Sequence, residues 1–216
     1  MPIRVEIYAA EGVAIAAVAQ DGSLREIVEA GQTLVLEGVS WHPLDGGPVQ
    51  PVGNRSVAPD DVYIATTDAQ EDGPVHAQWH DVTIDCGPYR VTGQMPTMPG
   101  FDPGRALARP TGEFVLLRDV DISLLGHDEA GGVHQPSALV NRYVVDRVEA
   151  DLMLGFFFPG AEMVVTGGHE KVAAGADTDT IEVPGAPAGP DVAATNGSGP
   201  HVNPAGGPST SASGAA

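Results

Sequence analysis

The chain has 216 residues, with 29 Asp and Glu against 10 Lys and Arg, a formal net charge of −19. Nucleic-acid binders take most of their affinity from Lys and Arg on phosphates, so this balance argues against duplex or non-specific RNA binding, and against an anionic membrane surface with it. Apolar residues make up 42%, enough for a core, while 28 Gly, 19 Pro and only 5% aromatics favour turns over long helices.

Met1-Pro2-Ile3-Arg4 runs into a strand pattern without a basic and apolar leader, and no apolar run approaches the ~20 residues of a membrane-spanning helix. The expectation is a soluble, cytoplasmic protein. Ile3, Val5 and Ile7 alternate with Arg4, Glu6 and Tyr8, the period of a half-buried strand over residues 3–8. Glu11-Gly12 turns the chain into a second strand, residues 13–18. Ser23 with Glu26 three residues on has the form of a capping box, which predicts a helical turn over residues 23–28 ending at Gly31. Residues 33–41 read as a buried strand, 43–54 as a Gly- and Pro-rich loop, and 62–67 as a closing strand or two.

Residues 70–78 are a natural junction, and the order then begins again. Strands over 81–85 and 89–95 flank a turn at Gly87. A Pro- and Gly-rich stretch, 96–112, precedes a long central strand over 114–124. A polar loop, 126–136, leads to closing strands over 138–148 around Asn141-Arg142. Residues 151–165 are extra, and their run Leu152–Phe158 predicts either an added strand or an apolar patch that joins subunits. In residues 185–216 the composition is almost all Gly, Ala, Pro, Ser and Thr, too little apolar surface to offset ordering entropy. A disordered tail over 166–216 is expected.

The two halves are one pattern written twice. Shifted by 81 positions, Leu34-Val35-Leu36 falls on Val115-Leu116-Leu117, Val39 on Val120, Leu44 on Leu125, and Val62-Tyr63-Ile64 on Tyr143-Val144-Val145. The opening strand repeats at an offset of 77, Val5-Glu6-Ile7 against Val82-Thr83-Ile84. Such a period implies two similar units: 1–70, a linker 71–78, and 79–165.

The order within each unit, with Phe114–Val120 as central strand and Ala138–Val145 leading to the close, resembles the small bent β-barrels of the Sm and LSm-like superfamily. It looks closer still to bacterial domains of that shape with a Leu-x-Asp-Val central strand (here Leu117–Val120) and a Val-Asn-Arg approach (Val140–Arg142). The resemblance implies an all-β fold of two tandem Sm-like or SH3-like barrels. RNA-binding Sm proteins carry an Asp and Asn pair before the central strand and Arg-Gly in the closing loop. Here Asp102 has no Asn companion, Arg142 is followed by Tyr143, and the first unit places Asp60 and Asp61 at the matching point. Those departures speak against RNA.

Arg105-Ala-Leu-Ala-Arg109 and Asp121-Ile-Ser123-Leu-Leu-Gly126 resemble the two signatures of PilZ domains, which bind cyclic di-GMP. That resemblance implies a ligand site of Arg105, Arg109, Asp121 and Ser123, guanidiniums on phosphates and Asp and Ser on the barrel surface. Against it stands plain alternation, with Asp121 and Ser123 on the solvent face of a strand whose core face is Val120, Ile122 and Leu124. His76, His80 and Asp81 precede a strand rather than lie on a helix, and His127 and His134 fall in a polar loop, so no metal site is expected. No Gly-x-Ser-x-Gly elbow or Walker loop is present, and the lone Cys86, which excludes a disulfide framework, reads as a small strand residue. The expectation is therefore a non-catalytic scaffolding, adaptor or oligomerising protein without cofactor. Its partner would be another protein or a second copy through Phe156, Phe157 and Phe158, and the alternative is a cyclic-dinucleotide receptor.

Overall fold

The computed structural model describes residues 2–69, 71–100, 112–126 and 132–166. The strands are β1 (Ile3–Ala9), β2 (Gly12–Val18), β3 (Leu34–Pro43), β4 (Gln50–Val57), β5 (Ile64–Thr67), β6 (Gln78–Cys86), β7 (Tyr89–Thr97), β8 (Phe114–Leu124), β9 (Val133–Asn141), β10 (Val145–Ala150) and β11 (Glu162–Val165). Helix among the described residues is confined to α1 (Leu24–Glu29) and a 3-10 turn at Pro59–Asp61. The fold is all-β, a single eleven-stranded sheet ordered β11-β10-β6-β7-β8-β9-β5-β1-β2-β3-β4. None of the described helices is long and apolar enough to cross a membrane.

The sheet contains the same strand order twice. β5-β1-β2-β3-β4 in the first half matches β10-β6-β7-β8-β9 in the second. Even the irregularities recur. The ladder between β2 and β3 slips between Ile15 and Ala17, and that between β7 and β8 slips between Thr92 and Gln94. Opposite these slips the backbone turns left-handed, at Gly38 (φ +61°) and at Asp119 (φ +49°). A bulge bends its strand and raises the twist, so each long central strand curves at one shared point.

The register corrects the ungapped alignment. Val5 pairs with Thr67 and its counterpart Val82 with Ala150, so the fifth strands are offset by 83 residues rather than 81. Likewise Leu34 pairs with Val57 and Val115 with Val140. Ile64 thus corresponds to Arg147, not to Val145. The two additional residues lie between β8 and β9, and an even number leaves the inward and outward faces unchanged.

Local sequence accounts for most elements. Ser23 Oγ accepts from the Glu26 backbone N–H and a Glu26 carboxylate oxygen accepts from that of Ser23, so the capping box forms as expected. Two stretches expected as loops are partly strand, residues 50–54 in β4 and 133–136 in β9. Both hold a proline, Pro51 and Pro136, which an unpaired strand margin tolerates because no partner needs its N–H. β4 is such a margin along its whole length, and the β5 ladder on β9 covers only Ala138–Val140.

The halves share their cores. Phe114, Leu116 and Leu139 of the second half pack among Val5, Ile7, Leu36, Val62 and Ala65. Tyr8 and Ile64 of the first half pack with Val82, Ile84, Val91, Leu117 and Val140. The tail expected over 166–216 lies beyond the described residues apart from Thr166.

Candidate functional site

The halves are joined by one short antiparallel ladder, Ile64 on Val140, Ala65 on Leu139 and Thr66 on Ala138. The fourth strand of one unit is thereby zipped to the fifth of the other. Asn141 fastens its end. The Asn141 side-chain amide donates to the Val62 carbonyl at 3.2 Å, its backbone N–H to the Tyr63 carbonyl at 2.9 Å, and its Oδ1 accepts from the Tyr143 N–H at 3.0 Å. On the other side of the joint the Tyr89 hydroxyl reaches the β1–β2 turn, donating toward the carbonyls of Ala9 at 2.8 Å and Gly12 at 3.2 Å. Its ring meets Tyr8 edge to face at 5.4 Å, and Tyr63 lies so close over Gly87 that a Cβ there would sit 2.4 Å from it.

Beside this joint opens a cleft of about 360 Å³, lined by the β1–β2 turn, the ends of β3 and β4, the 3-10 turn, Tyr63, and Val144 from the second half. Trp41 forms a wall of it. The indole packs on the β1–β2 turn, where a Cβ on Gly12 would fall 2.5 Å from the ring, and Arg55 stacks over it at 4.4 Å. Glu11, Asp60 and Asp61 supply carboxylates to the rim. An aromatic wall with several carboxylates favours a cationic side chain with an apolar stem, and Arg55 of the chain itself already covers one face of the Trp41 indole in that way. In the sequence only Asp60-Asp61 marks this cleft, and an acidic pair beside a turn speaks against RNA and otherwise reads as a solvated surface.

The residues singled out from the sequence fall elsewhere. Asp121 is exposed, with its carboxylate 3.1 Å from His134 Nδ1, and Ser123 sits in register with Arg90 on β7. Val120 and Ile122 on either side of Asp121 are buried, while Ser123 and Leu124 are both half-buried, so the alternation holds from Val120 to Ile122 and fades after it. Arg90 is engaged in a two-pronged bond to Asp85, at 2.8 and 3.0 Å. Arg105 and Arg109 lie outside the described residues, as does His127.

Arg142 is 3% exposed and donates to the Phe156 carbonyl at 3.2 Å, so its guanidinium organises the turn after β10. Phe158 is 1% exposed and packs with Leu154 in the second core, so it is not a surface contact; Phe156 and Phe157 remain half-buried, edge to face at 6.1 Å. The strand of this extension is β11, which follows the Phe run rather than containing it. His80 bridges Thr97 at 3.0 Å and Asp151 at 3.5 Å, a strut from β6 and β7 to that extension.

Among the described residues no group of three or more His, Cys, Asp or Glu is placed to hold a metal. Cys86 is buried, and burial first, then the nearby Asp146 and Asp85, pushes its thiol up to about 12. A thiol so held is a packing group and not a nucleophile. Neither a family model nor a curated protein nor a solved structure matches the chain.

Proposed function

We propose that the protein is a non-catalytic adaptor made of two fused Sm-like units, and that the cleft at their seam receives a basic segment of a partner protein. The single observation that carries this is the join of β9 to β5, which sets two copies of one strand order side by side with a shared cleft at the boundary. The repeated bulge at Gly38 and Asp119 supports common descent of the units, and the bent central strands support the Sm-like reading. The choice of a basic segment rests on Trp41, Tyr63, Glu11, Asp60 and Asp61 around the cleft, in a chain of net charge −19.

The test follows the Trp41 indole and the amides of residues 55–63 by NMR during titration with short peptides. Peptides carrying Lys or Arg beside an apolar residue are expected to shift those signals saturably, acidic peptides are not, and Asp60→Ala with Asp61→Ala should weaken binding at least fivefold. Absence of shifts at millimolar basic peptide sinks the reading. Shifts confined to β8 on addition of cyclic di-GMP would favour a nucleotide receptor instead.

A further inference from the structure

The fifth strands of the two units have different neighbours. β5 is paired on its far side with the fourth strand β9, antiparallel. β10, its counterpart, is paired instead with β11, parallel, through Arg147 on Glu162, Val148 on Met163, Glu149 on Val164 and Ala150 on Val165. β11 has no equivalent in the first unit. It is four residues long, half-buried at best, and continues in Thr166, whose N–H donates to the Ala150 carbonyl at 2.7 Å. At the opposite end of the sheet, among the described residues, the fourth strand β4 has no strand on its outer side.

Repeat equivalence says what would fit β10 in place of β11. Residues 55–57 of β4 correspond to 138–140 of β9, and residues 64–66 of β5 to 147–149 of β10. Transferring the β5·β9 register to β4 and β10 sets Val57 opposite Arg147, Ser56 opposite Val148 and Arg55 opposite Glu149. Opposite charges directly across a ladder stabilise it, so the one charged residue of β4 meets a carboxylate, Arg55 leaving its stack on Trp41 and Glu149 its ion pair with Arg147 to do so. Both strands belong to the same chain, but they are the two ends of one sheet, so the pairing is between copies, head to tail.

We propose that the outer edge of β10 is a second joining edge, that β11 keeps it closed within the chain, and that its other occupant is β4 of a second copy with Arg55 facing Glu149. This rests on the two-unit reading above and not on the cleft's ligand, although Arg55, Ser56 and Val57 also line the cleft. β11 then sets how far the sheet extends: closed, one chain stands alone; displaced, chains add end to end.

The test uses the full chain. By strand alternation the Val164 N–H lies on the same side as that of Thr166, so Val164→Pro removes a bond to β10. The wild type is expected at single-chain mass at 10 μM or so by sedimentation. Val164→Pro should expose the β10 amides to hydrogen exchange and self-associate, with a dissociation constant at least tenfold lower. Adding Arg55→Glu should reverse that gain tenfold or more, and adding Glu149→Arg to the pair should restore it, a rescue that unspecific aggregation does not produce. Thr166→Pro, which deletes the two bonds to the Ala150 carbonyl from the Thr166 N–H and hydroxyl at the end of β11, is a second variant read in the same way should Val164→Pro fail to fold. Unchanged exchange in β10, a single-chain mass after release, or association indifferent to Arg55→Glu each overturns the proposal. The seam-peptide titration is read on the wild-type chain and on the Asp60 and Asp61 variants, with Arg55 in place on Trp41, so either idea can fail alone.

Discussion

Gly38 and Asp119 hold the same place in the two central strands, and both carry left-handed backbone, at φ +61° and +49°. A left-handed residue costs an ordinary side chain about 1–2 kcal/mol, and Gly and Asp are among the few that meet the demand cheaply. A Cβ at Gly38 would touch nothing within 4 Å, so backbone conformation alone sets the cost of filling it. Gly38→Asp should therefore lose less than about 1 kcal/mol and Gly38→Val about 1–2 kcal/mol by urea denaturation. Equal losses would mean that the bulge is not held by its dihedral.

The Tyr89 hydroxyl ties the second unit to the β1–β2 turn of the first. Tyr89→Phe leaves the Ala9 and Gly12 carbonyls short of a donor in a mostly buried place, at a cost of about 1–2 kcal/mol. The loss should appear in one cooperative transition of the whole sheet. A separate transition for the first unit alone would contradict the shared cores.

Alkali should weaken the fold. Burial, as the first cause, raises Cys86 from 9.0 to about 12 and holds Tyr8 and Tyr89 well above the ordinary tyrosine value of 10.0. Each group is neutral in the folded state where the unfolded chain would ionise it. Above those ordinary values the folded state binds more protons, so its stability is complete below about pH 9 and falls as pH rises. The limiting slope is about 1.4 kcal/mol per pH unit for each such group. Stability measured from pH 8 to 11 should decline, first for the thiol and then for the phenols, and Cys86→Ala should delay the onset.

The aromatic run after β10 is divided in its roles. Phe158→Ala opens the second core, where the side chain packs with Leu154, and should cost about 3–5 kcal/mol. Phe157→Asp, at a half-buried place, should leave the sheet folded by circular dichroism. Parity between the two in a thermal melt would show that the Phe158 environment is misjudged.

Much of the sheet was legible from its apolar pattern. β1 carries apolar residues at every second place, β2 and the start of β8 are continuous apolar runs beside turn glycines, and the Ser23–Glu26 pair marked α1 by a specific hydrogen-bond chemistry. β4 was hidden because all but its last residue are exposed, so it has no alternation to read, and Pro51 and Gly53 look like loop. The two-residue slip in the closing strands escaped because it preserves face parity. Pairing across the seam left no local mark either: Ala138–Val140 are buried by β5, a strand some seventy residues earlier. The cleft gathers scattered turns of the first half with Val144 of the second at its edge, while the conspicuous Asp121 owed its prominence to ordinary alternation between Val120 and Ile122.

The seam also dictates the order in which the chain becomes safe during synthesis. Ile64 and Ala65 are fully covered only once Leu139 and Val140 have left the ribosome. Until then the nascent first unit exposes an apolar strand able to zip onto any neighbour, and Phe114 and Leu116 are missing from its interior. Proteolytic clipping between the units before the second has folded onto the first would leave that vulnerable intermediate in place, whereas a cut in the finished sheet leaves the ladder and the shared cores intact.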